Sequence, residues 1–121
     1  MFKPKKLATK NFLSSLDIST DEVLYILDLA KNIKNNNLDI KLDGKVLGLI
    51  FDKSSTRTRV SFQVAMSRLG GTTIDLNPNT SQIGRGEPIK DTARVLSRYC
   101  DVLAIRTFNQ SDLDEYAKWS S

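Results

Sequence analysis

Apolar positions in this chain alternate between helical spacing and short unbroken runs. Val23, Ile26, Leu27, Ala30 and Ile33 recur at steps of three and four behind Ser19-Thr20-Asp21-Glu22, whose S-x-x-E spacing is that of a capping box. Residues 20 to 35 are therefore predicted to form an amphipathic helix, closed by Asn35-Asn36-Asn37. After the Asp43-Gly44 turn signal, Val46 to Phe51 is apolar throughout except for Gly48, the pattern of a strand covered on both faces. A second helix is expected from about Thr58, turning Val60, Val64 and Leu69 to the core and stopping at Gly70-Gly71. Thr72 to Asn77 reads as a weaker strand. Pro88 suits the first turn of a helix whose apolar residues Ile89, Ala93, Leu96 and Tyr99 step by four, three and three. Val102 to Thr107 is the third strand, and Ser111 with Asp114 opens a last helix with Leu113, Tyr116 and Ala117 inward.

Strands alternating with helices imply an α/β fold: a parallel sheet with right-handed crossovers and helices on its faces. No internal repeat or linker divides the chain, so residues 1–121 are expected to be one domain. Such sheets commonly have about five or six strands, and three are predicted here, so the domain is expected to be truncated.

Composition narrows the chemistry. With 121 residues, 40% of them apolar, there is material for one core and not for a second complete domain. A single Cys and no His exclude an internal disulfide, a Ser-His or Cys-His pair and an imidazole-bound metal, so neither metal nor organic cofactor is expected. Lys3, Lys5 and Lys6 resemble the start of a secretion signal, but no apolar stretch of the required length follows. The longest apolar run is far short of the roughly 20 residues that cross a bilayer. A soluble, cytoplasmic protein with no membrane partner is expected. The net charge of +4 is uneven, with nine basic and four acidic side chains between residues 53 and 106. These arginines are spaced among Ser, Thr and Gly rather than gathered on a helix face, which suits a small anion better than nucleic acid.

In open parallel sheets ligands sit beyond the carboxyl ends of the strands. There the first strand runs into Asp52-Lys53-Ser54-Ser55-Thr56-Arg57-Thr58-Arg59, which offers hydroxyls, amides at a helix start and guanidiniums that fork onto oxyanions. The loop after the second strand carries Ser81, Gln82 and Arg85, and the third strand ends in Arg106-Thr107. Taken singly, each has a plainer role. Ser and Thr before a helix are ordinary caps, Arg59 and Arg68 are solvated or paired with carboxylates, Gly84 and Gly86 are loop residues, and Cys100 is a small core residue. Jointly, Arg57 at a strand–helix junction and Arg106 at the end of an apolar strand put charge where burial is costly without a partner. No P-loop is present, and Gly84-Arg85-Gly86 lacks the context of a dinucleotide fingerprint.

The stretch Phe51-Asp52-Lys53-Ser54-Ser55-Thr56-Arg57-Thr58-Arg59-Val60-Ser61-Phe62 closely resembles the carbamoyl phosphate signature of the transcarbamylase family. Ser81-Gln82-Ile83-Gly84-Arg85-Gly86-Glu87, Asp91-Thr92-Ala93-Arg94-Val95-Leu96-Ser97-Arg98-Tyr99 and Ile105-Arg106-Thr107-Phe108 resemble its ornithine branch rather than its aspartate branch. The resemblance implies the carbamoyl phosphate-binding domain of that fold. By it, Ser55, Thr56, Arg57 and Thr58 hold the phosphate, Arg106 reaches phosphate and the carbamoyl oxygen, and Thr58 helps at that oxygen. Gln82 reaches the phosphate of a neighbouring subunit, since family members are trimers or assemblies of trimers. The implied reaction, part of arginine metabolism, joins carbamoyl phosphate and ornithine to give citrulline and phosphate, without metal or cofactor. The family's His-Pro-x-Gln, Asp-x-x-x-Ser-Met-Gly and Cys-Leu-Pro segments have no counterpart here. The amino-acid-binding domain, and with it ornithine binding, is thus expected to be absent and the 121 residues alone inactive. A transcarbamylase for putrescine or aspartate, or a noncatalytic anion-binding remnant, are the alternatives.

Overall fold

The computed structural model describes residues 4–51, 55–76 and 88–121. The chain falls into two compact units, Met1–Ile40 and Lys41–Ser121.

In the first unit a short 3-10 helix, Ser15–Asp17, precedes helix α1, Thr20–Lys34. The predicted capping box is present: Glu22 N–H donates to Ser19 Oγ at 3.1 Å, and Ser19 N–H donates to Glu22 Oε1 at 3.0 Å. Two orphan amides at the helix start are thereby satisfied. The other Glu22 oxygen accepts from the Ala8 amide at 3.0 Å, tying the preceding segment to the helix. The backbone amides of Ser19 and Ala8 hold the Glu22 carboxyl below the usual carboxylate range. Past the helix, Asn36 adopts a left-handed φ of 59°, a conformation that Asn tolerates better than most residues.

The second unit is a parallel sheet flanked by helices. Its elements are β1 (Val46–Phe51), α2 (Thr56–Arg68), β2 (Thr72–Leu76), α3 (Ile89–Tyr99), β3 (Val102–Arg106) and α4 (Gln110–Trp119). Both pairings are parallel and the strand order is β2-β1-β3, so β1 is central. This position explains its apolar run. Leu47, Leu49 and Phe51 pack with Met66 of α2 on one face, joined by Leu42 and Ala104. Ile50 packs on the other face with Ala93 of α3 and Tyr116 of α4, joined by Leu76, Leu103 and Ile105. Fully burying a side chain such as Leu49 or Ile50 contributes about 1.5–3 kcal/mol.

Gly48 lies on the α3/α4 face. A Cβ there would sit 2.8 Å from Leu103 Cδ2 and 3.0 Å from Cys100 Sγ, so only the smallest residue fits. At the amino ends of the strands Asp101 clamps β1 to β3. Its amide donates to Val46 O at 2.9 Å and its carboxylate accepts from Val46 N at 2.8 Å.

Several expectations are corrected. Helix α2 starts at Thr56 rather than Thr58, α4 starts at Gln110 rather than Ser111, and β3 ends at Arg106 rather than Thr107. Val60 and Val64, expected inward, are 46% and 42% exposed. The row of α2 turned to the sheet is Arg59, Gln63 and Met66, because Arg59 Nε pairs with Asp75 Oδ2 of β2 at 3.5 Å and Met66 fills the core. Arg59 and Met66 thus lie on the row facing the sheet, and the valines fall beside it. Tyr99, also expected inward, is 71% exposed, because it is the last residue of α3, beyond the cluster that holds Ile89, Ala93 and Leu96.

Candidate functional site

The strand order places a switch point between β1 and β3. From β1 the chain crosses by α2 to β2, then returns by α3 to the opposite side of β1 as β3. Helix α2 packs on one face and α4 on the other, so the segments following β1 and β3 leave the sheet in opposite directions. Between such diverging connections, outside the carboxyl ends, α/β sheets form their ligand crevice.

Arg106 and the start of α2 lie on this rim. Arg106 is paired in register with Phe51, and Ala104 with Leu49. Partners across a parallel ladder share a face, and Leu49, Phe51 and Ala104 all pack on the α2 side. Half-buried Arg106 is therefore at the end of β3 on the face where α2 begins, four positions after its register partner Phe51 gives way to Ser55.

The start of α2 is unlike the other helix starts. Helices α1, α3 and α4 each carry acid in the first turn: Asp21 and Glu22, Asp91, and Asp112. Helix α2 has none, and its first turn carries Arg57 instead. Ser55 does not cap the backbone; its hydroxyl donates to Thr58 Oγ1 at 2.9 Å. Cations at the positive end of a helix are unfavourable by themselves, whereas a bound anion there is favoured by the dipole, the open amides and the guanidinium together. Among the described residues the ion pairs are Lys45–Asp101 and Arg59–Asp75, and neither involves Arg57 or Arg106.

On the rim's other side Thr107 donates its hydroxyl to Asp112 Oδ2 at 3.3 Å, joining the residue after Arg106 to the start of α4. The sequence offered no signal for this bond, since either residue alone is an ordinary loop or helix-start residue. Arg59 is paired with a carboxylate, one of the two plain roles expected of it. Gln82, with Lys53, Ser54, Ser81, Gly84, Arg85 and Gly86, lies outside the described residues. Among the described residues no three His, Cys, Asp or Glu side chains gather into a metal-ligand set. Cys100 is half-buried, and desolvation together with the Asp101 charge pushes its thiol up, which is the opposite of nucleophile activation.

Fold and rim together define a doubly wound α/β domain with a candidate oxyanion rim at its switch point. Comparison with known proteins makes the class specific: the chain belongs to the aspartate/ornithine carbamoyltransferase family, whose carbamoyl-P binding domain model matches residues 10–121. It is 80% identical over all 121 residues to an ornithine carbamoyltransferase of Prochlorococcus marinus subsp. pastoris, of which it spans 39%. Among solved structures, the anabolic ornithine carbamoyltransferase of Campylobacter jejuni superposes with a TM-score of 0.86 at 39% identity, over 93% of this chain and 37% of that one. The catalytic subunit of M. jannaschii aspartate transcarbamoylase superposes with a TM-score of 0.80 at 36% identity, over 93% of this chain and 39% of that one. The chain spans about two fifths of the length of the curated relatives it matches.

Proposed function

We propose that residues 1–121 are the carbamoyl phosphate-binding part of an ornithine carbamoyltransferase, which forms citrulline and phosphate in arginine metabolism. The observation that carries this reading is the placement of Arg106 on the rim and sheet face where α2 opens with Ser55, Thr56, Arg57 and Thr58. The identity to ornithine enzymes favours ornithine over aspartate as acceptor. In this role the α2 amides and hydroxyls and Arg57 hold the phosphate, which leaves as inorganic phosphate. Arg106 and Thr58 donate to the carbamoyl oxygen. As the neutral amine of ornithine attacks the carbamoyl carbon, negative charge grows on that oxygen, and donors already in place stabilise it more in the transition state than in the substrate. Gln82 is assigned to a neighbouring subunit's phosphate in a cytoplasmic trimer or multiple of trimers, and the ornithine half of the site to sequence beyond this chain.

Removing one preorganised donor from such a site costs about 3–4 kcal/mol. Arg57→Ala and Arg106→Ala in the longer protein are each expected to lose about 100-fold or more in turnover, read by citrulline formation. In the 121-residue chain, calorimetry should show saturable carbamoyl phosphate binding that Arg57→Ala abolishes, and no citrulline should form. Near-normal turnover in either variant refutes the residue assignment; absent binding favours a remnant.

A further inference from the structure

On the sheet face opposite α2, a second set of cations has no part in the chemistry above. Trp119, the chain's one tryptophan, is the last residue of α4 and packs against the cluster of Ile50, Ala93 and Tyr116. Three cationic heads gather on its ring: Lys90 Nζ at 4.5 Å from the centroid, Arg94 Cζ at 4.7 Å and Lys118 Nζ at 5.1 Å. The three heads therefore lie within about 10 Å of one another, close enough to repel. The ring quadrupole attracts each cation but carries no net charge to offset them.

Among the described residues no carboxylate is ion-paired with the cluster. The ion pairs among the described residues are Lys45–Asp101 and Arg59–Asp75, and none involves these three. Four acids lie on the same two helices: Asp91 on α3 and Asp112, Asp114 and Glu115 on α4; Asp112 accepts the Thr107 hydroxyl, Asp114 accepts the Gln110 side-chain amide, and none of the four is ion-paired with the cluster. The carbonyl end of α4 contributes only a partial negative charge beside Lys118. Three positive charges are thus held together from two helices by one anchored indole.

We propose that Lys90, Arg94 and Lys118, gathered on Trp119, form a second anion site whose ligand is a polyphosphate chain, free or carried by a nucleoside triphosphate. A lone phosphate is small and brings at most two negative charges, whereas a triphosphate brings three or more and has the reach to meet all three heads. Arg94 supplies forked donors and the two lysines supply point charges, a combination suited to linked phosphates. The site is separate from the α2 rim because α2 and the α3/α4 pair cover opposite faces of the sheet.

The emission of Trp119 gives a direct readout. Titration of the chain with tripolyphosphate, and separately with a nucleoside triphosphate, at constant ionic strength should give a saturable change in emission. Lys90→Gln combined with Lys118→Gln should weaken binding by about tenfold or more through lost charge-assisted contacts. Equal affinity for the two probes assigns the site to the phosphate chain itself, and tighter nucleotide binding assigns it to a nucleotide; both support the proposal. A change reproduced by potassium chloride alone, no saturable change, or an unaltered curve in the double variant overturns it. Circular dichroism of the double variant matching the parent separates lost binding from lost fold.

Discussion

One added carbon at Gly48 has no free space, since it would meet Leu103 Cδ2 and Cys100 Sγ inside ordinary contact distance. Gly48→Ala is expected to destabilise the second unit by about 1–3 kcal/mol, the usual cost of overpacking, with urea unfolding as the measurement. Because the blocking Leu103 atom is the end of a side chain that can rotate, the lower part of that range is expected. The Cys100 neighbour has its own signature. Burial and the Asp101 charge raise its folded pKa, so the folded state holds the thiol proton more tightly than the unfolded chain. The stability linked to this group is complete below the unfolded thiol's pKa and is lost as pH rises through the folded one. Alkylation by iodoacetamide should accordingly be slower than for a free thiol in mildly alkaline buffer and should accelerate only at higher pH. Gly48 was visible in the sequence as a gap in an apolar run, but the reason for it was not, because Leu103 and Cys100 approach it only once β3 has paired with β1.

At the level of elements, α1 is the helix that its own residues specify most completely. Ser19→Ala removes the cap and should cost about 1 kcal/mol, seen as lost helical dichroism or faster amide exchange in α1. Glu22, the other half of the box, has a lowered folded pKa. Its contribution is present above the unfolded carboxyl's pKa and disappears as pH falls through the folded value. Comparing Glu22→Gln with the parent from about pH 6 down to about pH 2 should show a difference that shrinks with acid. Capping, turn glycines and the unbroken run of β1 were legible because each depends on neighbours within a few residues. The rotation of α2 was not. Periodicity counted Val60 and Val64 as inward, but the Arg59–Asp75 pair joins residues on different elements and turns another row to the sheet.

For the molecule, anion binding at the proposed rim would be linked to folding. A ligand that binds only the folded state at about 100 times its dissociation constant stabilises by about 2.7 kcal/mol. Inorganic phosphate should therefore raise the melting temperature of the chain, and Arg106→Ala should blunt that rise, as a thermal scan at several phosphate concentrations would show. The motif around Ser55 to Thr58 and the position of Arg106 at a strand end were readable as candidates from residue types and spacing. That they share a face became visible only through the ladder register. The cations around Trp119 gave no sequence signal at all, because Lys90 and Arg94 are 29 and 25 residues from the ring they meet.

The pairing of β1 with β3 has a consequence for a chain still being synthesised. Ser55 and Arg106 are about 50 residues apart, and the hydrogen bonds between these two strands are what bring Arg106 to the rim at which α2 begins. A nascent chain halted before β3 leaves the ribosome would own the whole helix-opening motif and still lack the grip. Affinity for phosphate would switch on with the emergence of a single strand, which makes arrested chains of graded length a clock for the moment when this sheet closes.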